Sequence, residues 1–136
     1  MIFCKRVYDE VTESDGYRVL VDRLWPRGIK KTDLHYDEWN KDVAPVTELR
    51  KWFHTNTDKF DEFERRYRQE LEDRPQSWQT LVVKAEQGNL TLLFAAKDKE
   101  HNQAKVLKAF LEEQLSQDVS QDVSQPKKIP ANRDFQ

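Results

Sequence analysis

Arg18-Val19-Leu20-Val21-Asp22-Arg23-Leu24-Trp25-Pro26-Arg27-Gly28 decides how this chain folds. Val19-Leu20-Val21 is short, apolar and largely β-branched, and turn-forming residues bound it, the pattern of a strand buried in a core. Pro26 and Gly28 stop that strand and expose the backbone. Asp22, Arg23 and Arg27 are thereby expected to crowd around one strand end, where open α/β sheets bind their ligands.

Working outward toward the N-terminus, Ile2 to Tyr8 predicts a first strand. Asp9 to Gly16 is a polar loop ending in an Asp-Gly turn signal. Tyr17 to Arg23 is then a second strand. The loop between the two is too short for a usual crossover between parallel neighbours, so they are antiparallel partners or not adjacent.

Toward the C-terminus, Ile29 to Asp33 is a polar connection, and Leu34 to Asn40 reads as irregular or a single helical turn. Thr47 is placed to cap a short helix through Trp52 and Phe53, and Asp58 a longer one. In the longer helix Phe60, Phe63, Tyr67 and Leu71 share a face. Its other face carries the acid-first pairs Asp61/Arg65, Glu62/Arg66 and Glu64/Arg68. Beyond Pro75, Trp78, Leu81, Val82 and Ala85 form the stripe of a further helix closed by Gly88. Leu90 to Ala95 is a third strand, and a last helix buries Ala104, Leu107, Leu111 and Leu115.

These elements predict a small three-layer α/β or α+β domain over residues 1–115, with a short mixed sheet of about three strands flanked by helices. From Ser116 the composition changes. Ser-Gln-Asp-Val occurs twice in tandem before a Pro/Lys segment, and residues 116–136 read as a disordered tail.

The chain has 136 residues, enough for one domain with a real core. Its formal net charge of −2 disfavours a general nucleic-acid scaffold. Cys4 is the single cysteine, which fits a reducing compartment. The first residues lack the apolar core of a signal peptide, and no stretch approaches a membrane span. A soluble cytoplasmic protein is expected, with no membrane partner.

The Asp22/Arg23/Arg27 group is the first candidate site. Two arginines can hold a phosphate or carboxylate through paired, charge-assisted bonds. Asp22 can bind a hydroxyl or act as a base. The competing structural role is an ion pair that pins the turn. The second candidate is Ala95-Ala96-Lys97-Asp98 with His101 and Asn102, following the third strand. Lys97 can meet an anion, His101 can exchange a proton near neutral pH, and Asn102 can bind a ligand or cap the last helix. The bland alternative is capping and solvated charge.

Arg6, with Lys5, is an unusual strand residue that faces a polar cavity or blunts an exposed edge. Most aromatics here are core residues. Trp25, set in its turn, is the exception expected to line a site. The three histidines have no paired spacing, so no metal site is indicated. No Gly-rich phosphate loop and no serine nucleophile elbow are present.

The chain resembles the YeaO-like proteins of the DUF488 family, small bacterial proteins. The resemblance is carried by Lys5-Arg6-Val7-Tyr8, by Asp15 through Gly28, by Ala44-Pro45 and by Leu49-Arg50-Lys51-Trp52-Phe53. Arg66-Tyr67, Glu70-Leu71, Leu92-Leu93 and Ala96-Lys97-Asp98 to His101-Asn102 extend it. It spans residues 1–115 and does not reach the tail. Longer members of the wider group look similar in a strand ending in Asp-x-Arg and in a later Cys-His-Arg helix start. Here His101-Asn102-Gln103 stands at that start, so a thiol-dependent mechanism does not carry over.

Together the residues and the resemblance lead to an expected small enzyme or enzyme-derived domain with a cationic pocket at strand ends. Its ligand would be a small anion of nucleotide or sugar-phosphate type, with no cofactor implied. Arg6, Arg23, Trp25, Arg27, Lys97 and Asn102 would bind it, and Asp22 and His101 would do any chemistry. The alternative is a non-catalytic ligand-sensing, regulatory, or nucleic-acid- or protein-binding module.

Overall fold

The computed structural model describes residues 1–124 of the chain. Four strands form one sheet: β1 (Ile2–Arg6), β2 (Tyr17–Leu20), β3 (Glu38–Trp39) and β4 (Leu90–Phe94). Their spatial order is β1-β4-β2-β3, and every pairing is parallel. The expected mixed sheet of three strands is therefore an all-parallel sheet of four. β1 and β2 are not neighbours, because β4 lies between them, with Cys4 and Val19 both in register with Leu92. The added strand, β3, was expected to be irregular chain. Two residues are too few to show a period in sequence.

Four helices cover one face: α1 (Thr47–Thr55), α2 (Phe60–Asp73), α3 (Gln79–Gln87) and α4 (Gln103–Ser124). Ile2, Val19, Val21, Leu90, Leu92 and Phe94 of the sheet side share one core with Phe63, Tyr67, Leu71, Leu81, Leu107 and Leu111 of the helices. The stripes expected for α2 and α4 are the buried ones, and Phe53 stacks on Phe63 at 4.3 Å between centroids. Each fully buried side chain of this size contributes roughly 1.5–3 kcal/mol. The Tyr67 hydroxyl, wholly enclosed, donates to the Val43 carbonyl at 2.6 Å, which satisfies the polar end that burial would otherwise penalise.

The opposite face is not covered by helices. The loop following Arg23 folds over Leu20 and Leu93 with Trp25, Ile29, Leu34, Tyr36 and Trp39. The expected third layer is thus irregular chain, held by aromatic edges: Trp25 meets Tyr36 at 5.5 Å and Trp39 at 5.3 Å.

Several local expectations are corrected. α1 begins at Thr47 with Val46 as its cap residue, and α2 is preceded by Lys59 rather than Asp58. On α2, Glu62 pairs with both Arg65 and Arg66, while Arg68 reaches across to Glu113 of α4. Asp61 and Glu64 take no part in those pairs. α4 runs on to Ser124, past the boundary expected at 115. The remainder of the expected tail, residues 125–136, lies outside the described residues.

The turn into β2 requires glycine. Gly16 has φ +65, and a Cβ there would stand 2.1 Å from the Asn89 carbonyl oxygen. Tyr17 donates its N–H to that same oxygen at 3.0 Å, so the close approach is what starts β2 beside β4.

Candidate functional site

Two connections leave the carboxyl end of the sheet toward opposite faces. β2 passes into the aromatic loop on one side, and β4 passes through residues 95–102 into α4 on the other. The point between their ends is a topological switch point, the usual ligand position in parallel sheets.

Asp22 lies at that point, between the end of β4 and the start of α4. The Ala95 N–H donates to its Oδ2 at 3.1 Å, and the Gln103 side-chain amide donates to its Oδ1. The Trp39 indole N–H donates to its backbone carbonyl at 2.8 Å, which fixes the chain direction just before Arg23. Burial pushes the Asp22 carboxyl up to about 6, although the two hydrogen bonds and the Arg50 charge pull the other way. Arg50 comes from α1, and its buried Nε has no hydrogen-bond partner among the described residues.

The other residues expected to converge on Asp22 are dispersed. Arg23 donates to the backbone carbonyls of Pro45 at 3.1 Å and Ala44 at 3.3 Å, anchoring the segment that leads into α1. Arg6 donates to the carbonyls of Ala96 at 2.9 Å and Ala95 at 3.2 Å, and its guanidinium lies 4.8 Å over the Tyr8 ring. These bonds fix the end of β4. Trp25 is packed, with its indole N–H on the Ile29 carbonyl at 2.7 Å. The exception expected for Trp25 does not hold, because its ring fills the gap between Tyr36 and Trp39.

Asn102 is 1% exposed and caps α4. Its Oδ1 accepts from the Lys105 N–H at 3.1 Å and its Nδ2 donates to the Asp98 carbonyl at 2.8 Å. His101 is exposed, with Nδ1 3.1 Å from Asp98 Oδ2 and its ring edge-on to Phe60 at 5.1 Å. The amides of Glu100 and His101, then the His101 ring, hold the Asp98 carboxyl below the usual carboxylate range. No hydrogen bond joins His101 to Asp22.

Arg27 and Lys97 are exposed on the rim, and neither guanidinium nor ammonium makes a hydrogen bond among the described residues. The Tyr8 hydroxyl donates to the Arg27 carbonyl at 2.7 Å, which ties the rim loop to the end of β1.

Sequence reasoning singled out neither Arg50 nor Gln103 as a site residue. Arg50 stands inside a block that carries the family resemblance, whereas Gln103 stands just past one, where the chain departs from the wider group's Cys-His-Arg start. It also missed a charged cluster under the sheet. Asp15, 2% exposed, pairs with Arg18 and with Lys5 at 2.7 Å. Burial works to raise its carboxyl, and bonds from Lys5, Thr12 and Arg18 overcome this and hold it far below the usual range. The Arg18 Nε donates to the His35 carbonyl at 2.7 Å, while its Nη2 is buried without a partner. Lys5 therefore turns to a buried carboxylate.

The single cysteine is not at the start of α4. Cys4 lies on β1 with its Sγ 3.4 Å from the Ala104 carbonyl, and burial pushes its thiol up to about 11. A thiol so protonated is a poor nucleophile. No helix among the described residues is long and apolar enough to cross a membrane.

The chain is 52% identical over 110 residues to the uncharacterized protein YeaO of Escherichia coli strain K12, covering 81% of this chain and 96% of that protein. It is 54% identical over 68 residues to the uncharacterized protein Rv3073c of Mycobacterium tuberculosis strain H37Rv, covering 50% of this chain and 58% of that one. No solved structure matches it. Residues 1–129 match the family described as the inactive DUF488-N3 subclade. With that match over most of its length, the chain belongs to the DUF488 family, in that subclade.

Proposed function

We infer that the protein is an enzyme-derived, non-catalytic module that holds a small anionic ligand, of nucleotide or sugar-phosphate type, at the carboxyl end of its sheet. Asp22 carries this reading. A carboxylate kept at a switch point with its proton affinity raised costs stability, and such costs concentrate at functional sites.

In this reading a ligand hydroxyl takes the place of the Gln103 amide on Asp22. Arg50, with an unused buried Nε, and the rim cations Arg27 and Lys97 meet the ligand's negative charge. The first turn of α4 adds its unpaired backbone N–H groups. His101 takes no proton-transfer role, since its partner is Asp98. Arg6, Arg23, Trp25 and Asn102 hold the walls in place without touching the ligand. The absence of turnover is supported by Gln103 lying against Asp22 and by the unactivated Cys4, and it accords with the subclade's description as inactive.

A basic nucleic-acid face is less favoured, because Arg65 and Arg66 of α2 share Glu62 and Arg68 pairs with Glu113. The test is a thermal-shift screen of nucleotides, sugar phosphates and carboxylates against wild type and Arg27→Ala/Lys97→Ala. At about 100 times its dissociation constant a ligand adds roughly 2.7 kcal/mol of stability. A stabilising anion whose effect falls in the double variant supports the reading. A stabilising ligand that works equally on both proteins overturns the rim assignment.

A further inference from the structure

β1 is an edge strand, and alternate residues turn their hydrogen-bonding groups away from the sheet. The Met1 carbonyl accepts from the Leu90 N–H and the Val7 N–H donates to the Phe94 carbonyl. The odd-numbered residues of β1 therefore face β4, and Ile2, Cys4 and Arg6 present their backbone groups outward. At Arg6 the outward groups are taken: its N–H donates to Asp9 Oδ2 at 2.9 Å, and its carbonyl accepts from the Asp9 N–H at 3.0 Å. The outward groups of Ile2 and Cys4 have no partner among the described residues. An edge left this way invites another strand.

A groove of about 450 Å³ runs along this edge. Its α4 wall carries Lys105, Lys108 and Glu112, of which Lys108 and Glu112 pair with each other at 3.0 Å. Phe3 lies in the groove half-exposed and belongs to neither core cluster. Lys5, a residue type that commonly guards edges, is drawn onto Asp15 instead.

We propose that the β1 edge is the interface of a homodimer, in which β1 pairs antiparallel with β1 of a second copy about a two-fold axis at Phe3. The Asp9 plug at Arg6 selects this register. Centring on Cys4 would ask Arg6 to pair with Ile2, and the Arg6 groups are occupied. Centring on Phe3 matches Ile2 with Cys4 in both directions, so all the free outward groups are used. Phe3 then meets Phe3 as a non-hydrogen-bonded pair, where side chains approach closely. That is the self-complementarity an isologous contact needs. The two sheets become one continuous sheet, and the switch points stay open because they lie at the strand ends.

The experiment is sedimentation of the full chain at micromolar concentration, with circular dichroism as the folding control. Wild type should be a dimer. Phe3→Glu and Phe3→Lys, whose side chains belong to neither core, should each be folded monomers. Mixing the two should restore a dimer, because position 3 meets position 3. In a Cys4→Ser background, Phe3→Cys should crosslink to a dimer on oxidation, and this arm decides if a charged variant fails to fold. A monomeric wild type overturns the proposal, as does a dimer that both charged variants leave intact. Monomeric variants that fail to pair on mixing also overturn it, and assign the groove to an extended peptide of another protein.

Discussion

Gln103, the first residue of α4, donates its side-chain amide to the carboxylate of Asp22, just past the end of β2. This single bond joins the two motif-bearing blocks of the chain at the switch point. It also sets a pH dependence. The Asp22 carboxyl sits near 6 in the folded protein against 3.8 as its ordinary value, so between those values the folded state binds more protons than the unfolded one. Stability must then fall as pH rises through that window and level off above it. The loss is on the order of 2–3 kcal/mol. Asp22→Asn can keep the Ala95 bond through its oxygen and donate to a flipped Gln103 amide. It is expected to be more stable than wild type at pH 8 and to lose the slope, as read by urea unfolding at pH 4, 6 and 8.

Asp15 predicts the opposite sign. Lys5, Thr12 and Arg18 hold its carboxyl well below the ordinary range despite burial. Its contribution is therefore present above the unfolded value and lost as pH falls toward the folded one. Asp15→Ala leaves Arg18, 4% exposed, without its carboxylate. Breaking a buried pair from one side costs about 3–5 kcal/mol, a drop that urea unfolding at neutral pH would register at once.

Asn102→Ala removes the α4 cap and strands the Lys105 amide and the Asp98 carbonyl. A cost of about 1–2 kcal/mol is expected. Asn102→Asp should recover the acceptor half only, since a carboxylate cannot donate to Asp98. Denaturation midpoints ordered wild type, Asp, Ala would agree with this.

Gly16→Ala is expected to be among the most damaging single changes, because it joins positive φ to a 2.1 Å approach on the Asn89 backbone. The Asn89 carbonyl must move, and the Tyr17 N–H loses its acceptor. A loss of the folded circular dichroism signal at 37 °C, or an unfolding free energy lowered by about 3 kcal/mol or more, is the expected outcome.

The buried strands and helices were legible because their periods are strong. Val19-Leu20-Val21 and Leu90 to Phe94 read as core runs, and the α2 and α4 stripes repeat at helical spacing. β3 was not legible, since it exists through its pairing with Val19 and Leu20 rather than through any pattern of its own. Asp22 could be found as a charge ending a buried strand. The fates of Arg6 and Arg23 could not, because their partners are backbone carbonyls at Ala95, Ala96, Ala44 and Pro45, which have no sequence signature. Arg50 and Gln103 reach the switch point through the packing of α1 and α4, a matter of tertiary arrangement.

The most direct test of the switch-point account is an NMR titration of the nitrogen-labelled protein with the nucleotide and sugar-phosphate panel, following the Ala95 backbone amide and the Gln103 side-chain amide. Both donate to Asp22 in the free protein. A ligand that binds at the switch point must shift both, and Asp22→Asn should weaken that response. A well-folded spectrum in which no member of the panel moves either signal, or in which shifts occur only elsewhere, contradicts the account.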